Sequence, residues 1–300
     1  MFKKFIVNKD YHNTRFDRWF KHNVGKIPQS YIEKLTRKKK IKVNKNKIKT
    51  SYRVQLNDIV EVYTTEDFKV RTLNKPTKYL PSKKEKELYG KFIIENNDNF
   101  IVINKPRGIA VQAGTKSFKN IIDILKNTSL FDHTKPYVVH RLDKETSGVM
   151  IVAKNREYAQ LLTSLFRIRK IHKTYLAVSH GAVDKKLSLM KDDLIIYEKN
   201  KKIIQNAISY IKILKSSNEF SFLELKPITG RKHQLRKQLY NIGNPIVGDD
   251  KYSINTKYKK VKLKNIMLHA YKIKFMINNI KYSFKAEYDD EFEDFIKRKF

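Results

Sequence analysis

Residues 137–155 constrain the fold of this chain more than any other stretch. Two short apolar runs rich in β-branched residues, 137–139 and 149–153, flank a polar loop that ends in Ser147 and Gly148. Runs of this length are too short for helices and are typical of buried strands, and a Ser-Gly pair is typical of a turn. The sequence therefore predicts two buried strands with a charged loop between them.

The charged loop contains the first candidate for chemistry. Asp143 follows Arg141 at a distance of two residues and directly precedes Lys144. Neighbouring cations favour the ionised form of a carboxylate, which a nucleophile or an electrostatic stabiliser needs. Charged turns are also common on protein surfaces, so the spacing alone fits an ordinary solvated turn as well.

The overall charge favours a polyanionic partner. The 300 residues include 65 Lys and Arg against 30 Asp and Glu, a formal net charge of +35, and 40% are hydrophobic. A globular protein with such an excess is first a candidate for binding nucleic acid. A general richness in Lys, Asn and Ile could raise the basicity without any binding role. The length allows one large domain or two smaller ones.

Several classes of protein are excluded or disfavoured by composition. The chain has no cysteine, so disulfides, thiolate catalysis and cysteine-based metal sites are excluded. The eight histidines are scattered without ligand spacing, and we expect no metal site. No stretch of about 18 apolar residues is present, and the first apolar run is too short for a signal peptide. We therefore expect a cytoplasmic protein with no membrane contact.

A small basic module is predicted near the start of the chain, over residues 14–72. Phe16, Trp19 and Phe20 fall on one face of a predicted helix that Thr14 can cap, and a second helix is predicted after Pro28.

A run of four cations ends this second helix and precedes a strand-like segment. The run consists of Arg37, Lys38, Lys39 and Lys40. Such runs usually mark a solvated face, but at a helix end beside a β-turn they can also contact phosphates. The arrangement favours RNA binding.

The order of elements in this module resembles the S4-like RNA-binding domain. The resemblance depends on Arg15-Phe16-Asp17 at its start and Lys42-Val43-Asn44 in its turn. We therefore assign residues 1–72 to an S4-like domain and the Pro- and Lys-rich residues 73–91 to a linker. The large domain is then 92–300.

A second informative stretch lies in the large domain, at 229–236. Gly230 before a predicted helix leaves backbone N–H groups free, and Arg231 adds a guanidinium, so the segment could hold phosphate. An ordinary helix start with solvated basic residues fits this segment equally well.

Four separated motifs of the large domain resemble those of the RluA-type pseudouridine synthases, in the order of that family. They are His-Arg-Leu-Asp-Lys-Glu-Thr-Ser-Gly at 140–148, the Lys-x-Tyr segment ending at Tyr175, Thr-Gly-Arg-Lys-His-Gln-Leu-Arg at 229–236, and Pro-Ile-Val-Gly-Asp at 245–249. The resemblance implies an α+β fold, with a mixed, mainly antiparallel sheet flanked by helices. It also implies an enzyme that isomerises uridine within RNA and needs neither a metal nor an organic cofactor.

The resemblance also implies roles for individual residues. Asp143 is the expected catalytic carboxylate, and Arg236 is its expected ion-pair partner. Tyr175 is expected to stack on the target base, with Leu268 packed beneath its ring, and its phenol is also a candidate for removing a proton from the sugar. The target base must be extruded from folded RNA, and Arg141 is the candidate for filling the vacated space.

Weaker candidates for contacts with the RNA backbone are Lys105 and Arg231. Together with the N-terminal module, the resemblance implies a monomer that acts on 23S ribosomal RNA of the large subunit, either free or in an assembly intermediate. Two alternatives remain open: a catalytically idle RNA-binding or ribosome-assembly factor, and a pseudouridine synthase that acts on transfer RNA. The specific uridines and the choice between a covalent and a glycal route are not decided by the sequence.

Overall fold

The computed structural model describes residues 2–63, 79–113, 119–132, 134–198, 201–252, 261, 263 and 265–300. The chain divides into two compact units, Met1–Pro76 and Thr77–Phe300. Within the described residues the helices are α1 (Phe16–Asn23), α2 (Gln29–Arg37), α3 (Lys83–Gly90), α4 (Ile121–Lys126), α5 (Arg156–Arg167), α6 (Gln234–Asn241) and α7 (Asp290–Lys299). The strands are β1 (Phe2–Ile6), β2 (Thr14–Arg15), β3 (Ile41–Val43), β4 (Arg53–Val54), β5 (Ile59–Tyr63), β6 (Ile93–Asn96), β7 (Phe100–Lys105), β8 (Tyr137–Val138), β9 (Ser147–Ala153), β10 (His172–His180), β11 (Leu189–Glu198), β12 (Lys201–Ser216), β13 (Phe220–Pro227), β14 (Leu268–Ile277) and β15 (Ile280–Lys285).

The first unit is built from two helices and two small sheets. Strands β1, β5 and β3 pair in that order, and β2 pairs with β4. The predicted stripe of Phe16, Trp19 and Phe20 is fully buried in its core, which confirms the first predicted helix. Thr14 was expected to cap this helix but lies in β2 instead, since the helix begins one residue later than the capping geometry requires and Arg15 occupies the N-cap position.

The predicted linker at 73–91 is only partly described. Residues 79–91 are described, and most of them are helical, because α3 opens with a capping box in which Ser82 and Glu85 each bond the other's backbone N–H. Tyr89 of this helix is buried in a core cluster of the second unit. The helix therefore belongs to the second unit, and the linker prediction is wrong for 83–90. Residues 73–78 lie outside the described residues.

The second unit is organised on one large sheet with ten described strands. The order is β11-β12-β13-β10-β14-β9-β7-β6, with β15 on β14 and β8 on β9. Every pairing in it is antiparallel except that of β14 with β9. The helices lie in sequence between strands and at the C-terminus, so the predicted α+β fold with a mixed, mainly antiparallel sheet is confirmed.

The parallel pair divides the sheet into two halves and fixes the position of the Asp143 loop. A hydrophobic cluster with β7 and β9 lies on one side, and a second with β10, β13, α6 and α7 lies on the other. His269 pairs with Ser147, and Ala270 pairs with Gly148. Because parallel strands begin at the same sheet edge, the loop that precedes β9 and the segment that precedes β14 meet there.

Two further findings concern the described residues alone. No helix among them is long and apolar enough to cross a membrane. No group of three or more His, Cys, Asp or Glu side chains with a geometry for metal binding occurs in these parts of the chain.

Candidate active site

A buried lysine holds the backbone of the Asp143 loop in place. Lys105 donates hydrogen bonds from Nζ to the carbonyl oxygens of Pro106 (2.9 Å), Ile109 (3.0 Å) and Lys144 (3.3 Å). Asp143 itself has 28% of its side chain exposed, so its carboxylate is held at the surface of the sheet edge and remains accessible. Burial lowers the pKa of Lys105 to about 7, although the charges of Glu145 and Asp143 oppose the shift.

Arg236 on α6 lies behind the Asp143 carboxylate. Its guanidinium makes two hydrogen bonds of 2.7 Å each to the two oxygens of Asp249. Its NH1 atom is 4.0 Å from Oδ2 of Asp143 and 3.5 Å from Oε2 of Glu145. The bidentate partner of Arg236 is thus Asp249, and Asp143 lies at the outer limit of an ion pair.

The charge of Arg236 is secured by this arrangement. Burial alone would lower its pKa, but the hydrogen bonds and the charge of Asp249 outweigh burial, and Asp143 and Glu145 raise the pKa further. A turn with Gly248 at a φ of 77° immediately precedes Asp249. A Cβ at Gly248 would overlap the carbonyl oxygen of Asn265, so the turn depends on glycine.

Tyr175 on β10 lies where the two hydrophobic clusters meet. It pairs with Leu225 on one side and with Ala270 on the other, and its half-buried ring packs against both hydrophobic clusters. Leu268 is 3% exposed and belongs to one of these clusters. Burial, reinforced by the charge of Asp143, raises the pKa of Tyr175, so its phenol stays protonated. A protonated ring of this kind is suited to stacking on a base.

His233 and Tyr252 also belong to this site, although neither was a candidate from the sequence. Nε2 of His233 is 3.8 Å from Oδ1 of Asp143, and its Nδ1 is 3.1 Å from the hydroxyl of Tyr252. The guanidinium of Arg236 lies over the Tyr252 ring, 5.3 Å from its centroid. The position of His233 within the 229–236 motif was the available signal, and only its contacts reveal a role.

The residues of the second unit that were predicted to contact RNA differ in solvent exposure. Arg141 is exposed, as an RNA contact requires. Arg231 is half-buried and donates from Nε to the carbonyl oxygen of Asn206, while its backbone N–H bonds to Gln234 Oε1. That backbone N–H is therefore not free for a phosphate. Lys105 is fully buried, which corrects the expectation that it contacts the RNA backbone, because its ammonium is enclosed beneath the loop.

The predicted cationic run of the first unit is at the surface. Arg37 ends α2, Lys38, Lys39 and Lys40 follow it, and all four side chains are exposed. Lys39 has a φ of 58°, so the chain turns sharply within the run. Four cations on one exposed turn are available to phosphates.

A buried polar network lies directly behind the Asp143 loop. Nδ1 of His269 is 2.9 Å from the hydroxyl of Ser147, and its Nε2 is 2.9 Å from the carbonyl oxygen of Ala286. Arg107 contacts Ser147 from Nε at 3.3 Å and pairs with Asp289 at 3.2 Å. The network connects the start of β9 to the N-terminus of α7.

Comparison with known proteins shows which family this chain resembles. Residues 99–241 match the family model described as RNA pseudouridylate synthase. A Rickettsia felis protein named ribosomal large subunit pseudouridine synthase C is 36% identical over 256 residues, covering 80% of this chain and 82% of that protein. A protein of the same name from Buchnera aphidicola subsp. Acyrthosiphon pisum is 29% identical and covers 97% of this chain and 95% of its own.

A solved structure shows the same fold. Human RNA pseudouridylate synthase domain containing 4 superposes with a TM-score of 0.60 at 24% identity, covering 71% of this chain and 94% of that one. This chain thus shares the fold of that structure. The chain belongs to the RluA-type family of RNA pseudouridine synthases.

Proposed function

We propose that this enzyme converts specific uridines of 23S ribosomal RNA to pseudouridine, with Asp143 as its catalytic carboxylate. The observation that carries the proposal is the accessible Asp143 carboxylate, placed within 4.0 Å of both a buried arginine and a histidine. The relatives that align with most of this chain are named as enzymes of the large ribosomal subunit. These names support ribosomal RNA of that subunit as the substrate.

The reaction is an isomerisation, in which one bond to the sugar replaces another. The bond between C1′ of the ribose and N1 of the uracil breaks, the uracil turns, and C5 forms the new bond to C1′. The proton on C5 is then lost to solvent, and N1 gains one. Asp143 serves either as the nucleophile at C1′ or as the charge that stabilises the electron-poor sugar, and both roles need the ionised form.

The surrounding residues fit supporting roles in this reaction. Arg236, held by Asp249, keeps a permanent positive charge beside the carboxylate. The pKa of Tyr175 is raised, so a phenolate is rare in this environment. This favours a ring that stacks on the nucleobase over a general base that removes a proton from the sugar. The exposed side chain of Arg141 is free to enter the space that an extruded base leaves.

For the first unit we propose the role of an S4-like RNA-binding domain. The support is the order of α1 and α2 followed by β3, β4 and β5, together with exposed cations at the end of α2 and directly after it. These cations are Arg37, Lys38, Lys39 and Lys40. These cations would supply affinity that does not depend on base sequence. We further propose that the enzyme works as a monomer in the cytoplasm.

The test is release of tritium from RNA labelled at C5 of uridine. We expect the wild type to release tritium from 23S transcripts, and Asp143→Asn to bind the RNA with similar affinity but release none. Glu145→Gln is the matched control, because it removes a second, exposed carboxylate of the same loop and should leave turnover measurable.

Three outcomes would redirect the proposal. Release from transfer RNA but not from 23S transcripts would change the substrate. Tight binding without release from either RNA would favour the assembly-factor alternative. Full activity of Asp143→Asn would remove Asp143 from the chemistry.

A further inference from the structure

His233 occupies a strained backbone position directly before α6. Its φ of 55° and ψ of 30° lie in the left-handed region, which is unfavourable for a residue with a Cβ. Such positions persist where the surroundings fix them, and they cluster at functional sites. The conformation directs the imidazole towards Asp143, with 13% of the side chain exposed.

The two groups that face the His233 ring, a carboxylate on one side and a hydroxyl on the other, determine which ring nitrogen carries the proton. Nε2 faces Oδ1 of Asp143, and a carboxylate only accepts, so a proton on Nε2 is favoured. Nδ1 then has a free lone pair and accepts the proton of the Tyr252 hydroxyl at 3.1 Å. Tyr252 is held in turn, because its backbone N–H donates to Asp249 Oδ1 at 3.1 Å and its ring contacts Arg236.

Burial and the nearby cations favour a neutral His233 ring. Burial lowers its pKa, the charge of Asp143 opposes this shift, and Arg236, Lys251 and Lys232 lower the pKa further. The 3.8 Å between Nε2 and Asp143 Oδ1 is longer than a hydrogen bond. The site therefore presents a neutral N–H donor that the carboxylate does not consume.

We propose that His233 is a further catalytic residue, which donates a hydrogen bond from Nε2 to the uracil oxygen next to the glycosidic bond (O2) as that bond breaks. The inference rests on the proposed role of Asp143. Cleavage leaves the electron pair of the C1′–N1 bond on the uracil, where it is shared with O2. A donor so close to the carboxylate that faces C1′ is within reach of this oxygen, and preorganised donors aimed at developing charge stabilise transition states.

His233 gives up no proton in this step, so the isomerisation remains balanced without it. The electron pair shared with O2 returns to the ring when C5 attacks C1′. The contribution is the same for a covalent and a glycal route, because uracil departs with the electron pair in both.

Two substitutions separate the donor from the rest of the side chain. His233→Gln places an amide N–H near the position of Nε2, whereas His233→Asn tolerates the left-handed backbone but is too short to reach it. We expect His233→Asn to slow single-turnover tritium release from 23S transcripts by about 10²- to 10³-fold, as for loss of other oxyanion donors. His233→Gln should retain most of the rate, and the dissociation constant for RNA should be unchanged in both.

An altered substrate tests which atom accepts the hydrogen bond. Transcripts made with 2-thiouridine carry sulfur, a weak acceptor, in place of O2. The sulfur should slow the wild type, and it should add little to the defect of His233→Asn, since both changes remove the same interaction. Equal slowing of the wild type and His233→Asn would overturn the assignment to O2.

The outcomes separate this inference from the proposed function. If the wild type releases no tritium from any RNA, the proposed function fails. If the wild type is active and His233→Asn reacts within twofold of it, the inference fails. If the circular dichroism spectrum of His233→Asn shows that this variant is unfolded, Tyr252→Phe replaces it as the test. Without this hydroxyl, nothing at Nδ1 favours the tautomer with the proton on Nε2, so tritium release should slow about tenfold. An unchanged rate would overturn the inference.

Discussion

At the scale of single residues, the most consequential contact is the pair of hydrogen bonds between Arg236 and Asp249. The Asp249 side chain is fully buried and that of Arg236 is 5% exposed. Asp249→Asn would leave the guanidinium without its main counter-charge, and breaking a buried pair in this way costs about 3–5 kcal/mol of unfolding free energy. Arg236 would then turn towards Asp143 and Glu145, so we also expect slower tritium release.

Urea denaturation followed by circular dichroism measures this loss of stability. Asp250→Asn is the matched control, because Asp250 is adjacent and exposed, and it should change the free energy by less than about 0.5 kcal/mol. Equal effects of the two substitutions would show that the ion pair contributes little.

One half-buried histidine, His140, and one buried histidine, His269, predict how the stability of the large unit depends on pH. Burial lowers the pKa of His140 to about 3 and that of His269 to about 4. The unfolded chain therefore binds more protons than the folded one below the ordinary pKa of 6.5. The stability that the neutral rings contribute is complete above pH 6.5 and is lost as the pH falls towards 4.

The expected slope is about 1.4 kcal/mol per pH unit for each histidine between pH 6 and 5. Urea midpoints of the wild type measured from pH 7.5 to 5 give the slope, and His140→Gln or His269→Gln should each reduce it. A midpoint in either variant that falls with pH as steeply as in the wild type would contradict the assignment.

At the scale of elements, the contact between β9 and β14 depends on one glycine. Gly148 has a φ of 114°, and a Cβ there would overlap the backbone of Ala270. Gly148→Ala combines an unfavourable backbone conformation with a clash against a strand that cannot move alone. We expect a loss of at least about 3 kcal/mol, measured by urea denaturation, with reduced tritium release.

Gly243→Ala is the control for the backbone term alone. Gly243 has a φ of 81°, and no heavy atom lies within 4 Å of the position of its Cβ. The cost should be about 1–2 kcal/mol. If both alanine substitutions cost the same, the packing of β9 against β14 is not what requires Gly148.

The sequence predicts elements well where one local pattern decides them. The apolar run at 149–153 predicts β9, and the stripe of Phe16, Trp19 and Phe20 predicts α1. Helix α3 was missed because Pro81 and the surrounding lysines are typical of linkers, although Ser82 and Glu85 have the spacing of a capping box. A weakly apolar helix is stabilised by the cluster around Tyr89, which no local pattern reveals.

The site shows the same division between local and tertiary information. The motifs predict Asp143, Tyr175 and Arg236, and the structure brings these residues together around one sheet edge. The bidentate pairing of Arg236 with Asp249 depends on the turn at Gly248, and the contact of His233 depends on its left-handed backbone. Both arise from backbone conformations that the residue types permit but do not specify.

At the scale of the whole molecule, the question is whether RNA is attracted by one cluster of cations or by the net positive charge of the chain. The run of Arg37, Lys38, Lys39 and Lys40 is one exposed cluster on the first unit. Replacing all four with Gln should weaken RNA binding. The slope of log K against log salt concentration should also become shallower, by about 0.7–0.9 for every phosphate that the protein no longer neutralises.

The control removes the same charge from the second unit. Lys281, Lys297, Arg298 and Lys299 are exposed and also comprise three lysines and one arginine. Their replacement with Gln leaves the net charge equal to that of the first variant. If the four cations after α2 contact phosphates, the first variant loses more affinity and more salt dependence than the second in filter binding to 23S transcripts. Equal losses would mean that net charge, rather than this cluster, attracts RNA. Single-turnover tritium release at saturating RNA should be unchanged in both variants, because neither substitution touches the residues around Asp143.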